Sequence, residues 1–288
     1  MTETSSSLSV LKLLIIIIGI IIGYILSDTT RLTRKPRYDV YGNEVPLGSG
    51  EMFDDIAPYY DTANKVMSLG LDNYWRQTMI NELDLNDNSC KKIIDIATGT
   101  GESAIKIAKK IQSVYKLYDL ECGKPYIYGL DPSIEMLSYA SDKIKDTNYS
   151  DIVQFLHGDA TKMPKLSRSS FNQATMSFGI RNIKNRIVAI KEIKRIIKKN
   201  GKFVIMEFVE PKSSLLAPIA KLFIKYIIPG IGSVMSLGHN NEYSHLSDSI
   251  FNFPSPSEFN EELVKAGFKS CTNKNIFQDL VYIWVCIK

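Results

Sequence analysis

Cysteine and histidine are scarce in this chain, which has four of the first and three of the second among 288 residues. No paired spacing relates Cys90, Cys122, Cys271 and Cys286, and the histidines form no metal-ligand pattern. Zinc sites and disulfide scaffolds need such residues at short, regular spacings. The sequence therefore predicts no metal site, no disulfide framework and a reducing compartment.

An excess of charge of one sign is also missing. The chain has 35 basic and 31 acidic residues, a formal net charge of +4, and its basic residues are scattered. Nucleic-acid binding calls for a basic stripe interleaved with aromatic side chains. Nucleic acid is therefore not expected as a partner. The hydrophobic content of 44% is ample for the core of one α/β domain.

A long apolar run occurs at the N-terminus. Residues 13–26 carry no charge, and the run reaches 19 residues if it starts at Leu8 and Lys12 extends to the interface. That length just spans a bilayer as a helix. We expect a tail over residues 1–7 and a single transmembrane helix over residues 8–27. A cleaved signal peptide, which would need a basic start, and a buried core helix are the alternatives.

The residues after this run suggest its orientation. Basic side chains at 31, 34, 35 and 37 follow the apolar run, whereas Lys12 alone precedes it. The positive-inside rule then places the rest of the chain in the cytosol or the mitochondrial matrix. Residues 28–50, with Pro36, Pro46, Gly48 and Gly50 among them, are predicted to be a linker. One domain is expected over residues 51–288.

A glycine turn separates a predicted strand from a predicted helix. The strand ends near Asp95, the turn is Thr98-Gly99-Thr100-Gly101, and a helical apolar pattern starts at Glu102. Glycines let the backbone approach a ligand closely, and a helix start offers free N–H groups. Such a turn is typical of nucleotide-like ligand sites in α/β sheets, but it also occurs as a plain connection.

Strands and helices alternate beyond this turn. We expect a second strand over residues 126–130, ending before Asp131, and a third ending at Asp159 and Ala160. A fourth follows Phe171, and a helix over residues 186–199 is expected to end at Asn200-Gly201 before a strand over residues 202–208. This alternation predicts a mostly parallel, doubly wound sheet.

Two ligand classes compete for this arrangement. A dinucleotide site has G-x-G-x-x-G and an acidic residue about 20 residues further on. Here Ala104 stands at the third glycine, and an apparent insertion over residues 113–126 places the acidic residue farther away. The order of glycine turn, acidic strand end, Gly-Asp-Ala and Ser-Phe-Gly resembles class I S-adenosylmethionine-dependent methyltransferases instead. That resemblance implies a Rossmann-like, seven-stranded sheet and S-adenosylmethionine as cofactor.

Three segments narrow the resemblance. Residues 53–83 (FDDIAPYYDTANKVMSLGLDNYWRQTMINEL), residues 177–211 (SFGIRNIKNRIVAIKEIKRIIKKNGKFVIMEFVEP) and residues 243–268 (YSHLSDSIFNFPSPSEFNEELVKAGF) resemble the UbiE-type ubiquinone/menaquinone biosynthesis C-methyltransferases. The family usually has Met-Asn at Ala63-Asn64 and a Gly-Gly-Ile segment near the C-terminus, which this chain lacks. The implied acceptor is a small lipophilic quinone precursor at a membrane. Another lipid, a thiol or a small molecule stays open, as does a non-catalytic donor-binding membrane protein. The oligomeric state stays open too.

The resemblance also implies the residues that hold the donor. The cofactor-binding residues that it indicates are Asp95, Gly99, Thr100, Gly101, Asp131, Asp159, Ala160 and Ser177, with no metal ligand. Asp131 is expected on the ribose, and Asp159 with Ala160 at the adenine. Judged by the residues alone, Asp131 is also a suitable helix cap and Asp159 a suitable turn residue.

Arg181 is the candidate catalytic residue. It follows the predicted fourth strand, and a guanidinium stays protonated, so it suits the stabilisation of a developing phenolate better than proton abstraction. The alternative is a structural arginine paired with an acidic neighbour. Tyr60 and Asp61, before the first strand, are expected either to close over the donor or simply to pack.

Overall fold

A computed structural model describes residues 50–85, 91–115, 126–214, 216–230 and 240–288. The predicted tail, membrane helix and nearly all of the predicted linker lie outside the described residues, and so do Cys90 and Cys122. Within the described ranges, no helix combines the length and apolar character that a bilayer crossing requires.

Helices and strands alternate through most of the described chain. The strands are β1 Ile93–Ile96, β2 Ile127–Asp131, β3 Val153–His157, β4 Phe171–Ser177, β5 Ile197–Phe208, β6 Ser270–Phe277 and β7 Val281–Ile287. The α-helices are α1 Gly50–Met67, α2 Asp72–Asn81, α3 Glu102–Tyr115, α4 Ile134–Ile144, α5 Arg186–Ile196, α6 Ala217–Leu222, α7 Asn240–Phe251 and α8 Pro256–Lys265. A 3₁₀ turn covers Ile180–Asn182, and a π-helical turn covers Phe223–Ile227.

One seven-stranded sheet joins the described strands in the order β3-β2-β1-β4-β5-β7-β6. Strands β1 to β5 pair in parallel, and β7 runs antiparallel to both β5 and β6. The predicted doubly wound, mostly parallel sheet is confirmed. The strand order reverses between β1 and β4, and ligands of such sheets bind at the carboxyl ends of the strands beside that reversal.

Apolar helix faces cover the two sides of the sheet. On one side, α5 buries Ala189, Ile190 and Ile193, spaced for a single helical face. On the other side, α3 buries Ala104 and Ile107 with the rest of its apolar stripe. The central strand β1 is buried throughout, as expected for a parallel sheet covered on both faces.

The end of α5 differs from the sequence prediction. The helix was expected to reach residue 199 and to stop at Asn200-Gly201, but it ends at Ile196. Ile197 already pairs with Phe171 of β4, and the register shifts before the next pair of these strands. Asn200, at φ +61°, therefore lies in an irregularity inside β5. Tertiary pairing with β4 overrides the local helix-end signal.

The sequence predicts no disulfide framework, but Cys271 and Cys286 form one disulfide bond. The two residues lie directly opposite each other in the antiparallel pair of β6 and β7, with Cα atoms 4.1 Å apart. The two cysteines are 15 residues apart in the chain, a spacing that matches no recognised cysteine motif. The strand register brings the two thiols together.

The glycine turn after β1 is closely packed. Gly101 has φ +80°, and a Cβ atom there would lie 2.9 Å from the Phe155 ring and 3.0 Å from Ala140 Cβ. The turn is thereby pressed against β3 and α4. A side chain at this position would push the loop away from the sheet.

We expect Gly101→Ala to destabilise the protein more than Gly70→Ala. Gly70 has a similar φ of +77°, but a Cβ atom there would meet nothing within 4 Å, so it is a matched control for backbone strain. Both variants carry the left-handed backbone cost of about 1–2 kcal/mol. Gly101→Ala adds overpacking worth about 1–3 kcal/mol. Urea denaturation followed by circular dichroism measures the difference, and equal losses would contradict the packing described.

Candidate active site

Two cavities meet at the carboxyl ends of β1, β2 and β4. The first, a cleft of about 690 Å³, lies over the glycine turn and is called the donor cleft below. The second, of about 350 Å³, is lined mainly by apolar side chains and is called the apolar cavity. Tyr60 and Phe178 line both. A ligand in one cavity would therefore lie next to a ligand in the other.

The turn after β1 is held by a buried carboxylate. Asp95 is 1% exposed, and it accepts hydrogen bonds from the hydroxyls of Thr98 at 2.7 Å and Thr175 at 2.6 Å. Burial raises the pKa of Asp95. These bonds occupy both carboxylate oxygens and tie the turn after β1 to β4. Asp95, which the resemblance placed among the donor-binding residues, does not line the donor cleft.

Asp131 stands at the end of β2 and lines the donor cleft. One of its oxygens accepts the Gly99 N–H at 2.7 Å, and the other accepts the Ser133 N–H at 2.9 Å. Burial is the main cause that raises the pKa of Asp131 to about 6. Ser133 caps α4 instead, by accepting the Met136 N–H. The alternative role of Asp131 as the side-chain cap of that helix therefore does not apply.

Three more of the predicted donor-binding residues line the same cleft: Asp159, Ala160 and Ser177. Asp159 Oδ1 accepts hydrogen bonds from the Thr161 N–H at 2.7 Å and its hydroxyl at 2.8 Å. Asp159 is thus a turn residue, which was the alternative from sequence, and its second oxygen makes no bond within the described residues. The turn role uses Oδ1 alone, so the second oxygen can still accept a hydrogen bond from an adenine amino group.

Thr100 and Gly101 belong to the glycine turn but do not line the donor cleft. The Thr100 hydroxyl donates to Asp61 at 2.5 Å, and Lys143 lies 2.6 Å from the same carboxylate. These contacts fasten α1 to the turn. Asp61 therefore holds the segment in place, while its neighbour Tyr60 forms the wall between the two cavities.

The apolar cavity is walled by α2, by the ends of β4 and β5 and by the helices after β5. Its aromatic lining includes Trp75, which packs edge-on against Phe208 and contacts Phe178 and Phe277. Leucines and isoleucines supply most of the remaining surface. Some of them are exposed, including Leu69 at 74% and Ile219 at 65%. The apolar lining thus continues to the protein surface.

Arg181 reaches the apolar cavity but is largely occupied by protein groups. Its guanidinium forms a buried ion pair with Glu207 and donates to Ser249 Oγ at 3.1 Å and to the Phe178 carbonyl at 3.0 Å. Burial raises the pKa of Glu207, and the Arg181 charge opposes that shift. Arg181 is therefore paired with an acidic neighbour, as the structural alternative to a catalytic role predicts. These contacts leave only Nη2 of Arg181 without a partner among the described residues.

Sequence reasoning missed Arg76. This residue lies on the buried face of α2, is 8% exposed and lines the apolar cavity. It donates to Ser103 Oγ at 3.0 Å and to Ser177 Oγ at 2.7 Å. The sequence signal that could have identified Arg76 is its position next to Trp75, among the residues that α2 buries.

Asn182 offers the donor cleft an acceptor that suits a ligand with an amino group. Its Oδ1 is buried and has no hydrogen-bond partner within the part of the chain that the structure describes, and its side chain lines the cleft. Such an acceptor suits a ligand N–H group. Together with Asp131, the Gly99 backbone and the volume, the cleft fits an adenosine-containing ligand.

Comparison with known structures defines the class. The chain aligns with a SAM-dependent methyltransferase from Thermotoga maritima at a TM-score of 0.53 and 18% identity, over 83% of this chain and 99% of the other. A SAM dependent methyltransferase from Aquifex aeolicus gives a TM-score of 0.52 at 16% identity, over 79% and 97% of the two chains. The fold is therefore that of class I methyltransferases, which is the class that the strand order and the donor cleft define.

Sequence comparison defines the family. Residues 43–288 match the ubiE/COQ5 methyltransferase family, and the chain belongs to it. It is 31% identical to a ubiquinone/menaquinone biosynthesis C-methyltransferase from Citrifermentans bemidjiense, over 82% of this chain and 94% of that relative. A Rickettsia prowazekii relative of the same description is 34% identical, over 81% and 89%. The protein is a methyltransferase, and its cofactor is S-adenosylmethionine. The predicted family is confirmed.

We expect Asp131→Ala to weaken S-adenosylmethionine binding by about 1–3 kcal/mol, because ribose hydroxyls lose their acceptor. Isothermal titration calorimetry measures the affinity. Asp146→Ala, which removes an exposed carboxylate that does not line the cleft, is the control. Unchanged affinity of the Asp131 variant would contradict the assignment.

The affinity should also depend on pH. The predicted contact of Asp131 with the ribose hydroxyls needs an ionised carboxylate. Burial raises the pKa of Asp131 from 3.8 to about 6, so we expect binding to weaken as the pH falls below about 6. By the same linkage, Asp131 favours the ligand-free fold at low pH, and that contribution is lost as the pH rises through about 6. Asp131→Asn should remove this pH dependence. Calorimetry between pH 5 and 8 would contradict the assignment if both proteins responded alike.

Proposed function

We propose that this methyltransferase transfers a methyl group to a ring carbon of a lipophilic quinone precursor. The observation that carries the proposal is the apolar cavity, which shares Tyr60 and Phe178 with the donor cleft. A flat apolar acceptor in that cavity would have its ring beside the donor. The relatives whose names describe quinone C-methylation support the same substrate class.

The residues of this chain contribute position and exclusion of water. S-adenosylmethionine, when bound, supplies a methyl group already activated by a positively charged sulfur. Tyr60 and Phe178 line both cavities and would therefore contact both ligands. Alignment of two bound reactants can supply much of the barrier reduction in such a transfer. The aromatic walls around Trp75 keep the acceptor ring in a dry, apolar environment.

Other acceptors remain the competing proposal, because the C-terminal strand pair lacks the family's usual Gly-Gly-Ile segment. Quinone and lipid profiling of a deletion strain separates them. Accumulation of a demethylated quinone precursor supports the proposal. Accumulation of a different unmethylated lipid, thiol or small molecule would identify that compound as the acceptor instead. If every methylated product is still made, the protein is a non-catalytic donor-binding protein.

We also propose that residues 8–27 anchor the enzyme in a membrane, with the catalytic domain in the cytosol or the mitochondrial matrix. Support comes from the uncharged apolar run and the basic residues after it. The exposed leucine and isoleucine side chains at the cavity mouth, such as Leu69 and Ile219, are compatible with a lipid-dissolved acceptor. Tethering would keep the cavity close to the bilayer that contains this acceptor.

Carbonate extraction tests the anchor. We expect the full-length chain to stay in the membrane pellet, because a transmembrane helix resists alkaline extraction. Deletion of residues 1–30 should release the protein to the supernatant. A full-length Asp131→Ala chain is the control for weakened donor binding without loss of the segment. A mature N-terminus after residue 27 would show a cleaved signal instead and would end the anchor proposal.

Arg181 is proposed to stabilise negative charge on the acceptor through its remaining Nη2. Arg181→Ala is a poor test, because removal of one partner leaves Glu207 buried and uncompensated at a cost of about 3–5 kcal/mol. The double variant Arg181→Gln with Glu207→Gln removes both charges. We expect it to fold, to bind S-adenosylmethionine normally and to lose about 10²-fold in turnover. Glu207→Gln alone is the matched control, since it retains the guanidinium.

Turnover of a demethylated quinone precursor, stability and donor affinity are measured together for these variants. If the double variant turns over as fast as the wild type, Arg181 is a structural residue. If it loses donor affinity to the same degree as turnover, Arg181 acts on the donor side and the proposed role is excluded.

A further inference from the structure

A buried arginine without a carboxylate partner among the described residues borders the apolar cavity. Arg76 Nη1 contacts two serine hydroxyls, and its guanidinium carbon lies 5.7 Å from the centre of the Phe178 ring. Its Nε is buried and has no acceptor in the same described ranges. A buried cation in this situation is costly unless a counter-charge is supplied.

The carboxylates near Arg76 are engaged elsewhere. Asp72, one helical turn earlier on α2, accepts the Ser68 hydroxyl at 3.0 Å. Asp95 gives its two oxygens to threonine hydroxyls, and Glu207 is paired with the other arginine of the cavity. None of the described carboxylates forms an ion pair with Arg76. Asp95 interacts with the Arg76 charge through space, but it makes no hydrogen bond to the guanidinium. Within the described chain, Arg76 therefore has no carboxylate in direct contact.

The preceding residue of α2 carries a second unpaired donor. Trp75 Nε1 is buried without a hydrogen-bond acceptor among the described residues, and Trp75 lines the same cavity as Arg76. Buried indole N–H groups usually find a partner. Two neighbouring donors without acceptors, one of them charged, point to an oxygen-bearing ligand with negative charge.

We propose that Arg76 holds an anionic oxygen of the methyl acceptor, such as an ionised ring hydroxyl, with Trp75 Nε1 as a second donor. The inference rests on the proposed function and names the acceptor class: an apolar ring system with an acidic hydroxyl. The carboxylate of the donor is the other available source of such an oxygen. The acceptor is favoured because Arg76 and Trp75 line the apolar cavity and not the donor cleft.

This arrangement would select among acceptors. A ligand with an ionised hydroxyl compensates the buried guanidinium, whereas a neutral ligand of the same shape leaves it unpaired. Arg181 contributes less to this selection because Glu207 already balances its charge. The selective group of the cavity is thus the arginine of α2.

Two quinones of nearly equal shape test the proposal. The full-length protein is titrated with 2-hydroxy-1,4-naphthoquinone, which is ionised at neutral pH, and with 2-methoxy-1,4-naphthoquinone, which cannot ionise. Quinones quench tryptophan fluorescence, and Trp75 lies in the cavity. The chain's other tryptophan, Trp284, is fully buried in a separate part of the core. Quenching therefore reports occupancy of the cavity.

We expect the hydroxy compound to bind the wild type about 10- to 100-fold more tightly, as is typical of hydrogen bonds to charged groups. Arg76→Met should abolish this preference, and Arg76→Lys should keep part of it, because an ammonium retains the charge without the planar fork. Arg168→Met, which removes an exposed arginine outside the cavity, should keep the preference fully. Calorimetry with S-adenosylmethionine is run on every variant.

The outcomes separate this inference from the proposed function. Equal binding of the two quinones by the wild type would overturn the inference even if the Arg76 variants fail to fold. Loss of donor binding in Arg76→Lys and Arg76→Met, with the quinone preference intact, would assign Arg76 to the donor carboxylate and overturn it as well. Failure of the wild type to bind S-adenosylmethionine would overturn the proposed function instead.

Discussion

The hydrogen bond from the Gly99 N–H to the Asp131 carboxylate joins the ends of two neighbouring parallel strands, and the donor cleft depends on it. Asp95 performs the equivalent task between β1 and β4, because it accepts the hydroxyl of Thr98 in the turn and that of Thr175 on β4. Both carboxylates are buried, and burial raises the pKa of each. The glycine turn is thus fixed by carboxyl groups that are expensive to bury and that are compensated by short hydrogen bonds.

The two arginines of the apolar cavity illustrate how local pairing decides a residue's task. Arg181 is bound to Glu207, Ser249 and a backbone carbonyl, so most of its hydrogen-bonding capacity serves the fold. Arg76 has no carboxylate partner among the residues that the structure describes. The same side-chain type therefore stabilises the protein in one place and is available for a ligand in the other.

Most of the fold and the donor side of the site could be predicted from sequence, because their signals are local. A glycine turn between a strand and a helix, and an acidic residue at the next strand end, need only short stretches to be recognised. The predictions for Gly99, Asp131, Asp159, Ala160 and Ser177 share one cleft in the structure. The end of α5 and the Cys271–Cys286 bond could not be predicted, because strand pairing determines both.

The sequence by itself determined the α/β class, through the alternation of strand and helix patterns. It also determined the family and the cofactor, through the resemblance of three segments to a known family. Tertiary structure alone decided which polar side chains are satisfied. Whether Arg76 or Arg181 meets a carboxylate depends on the approach of α2, β4 and β5, and Arg76 contacts a serine 101 residues away in the chain. Pairing, burial and the pKa shifts that result are properties of this three-dimensional arrangement, and no local pattern encodes them.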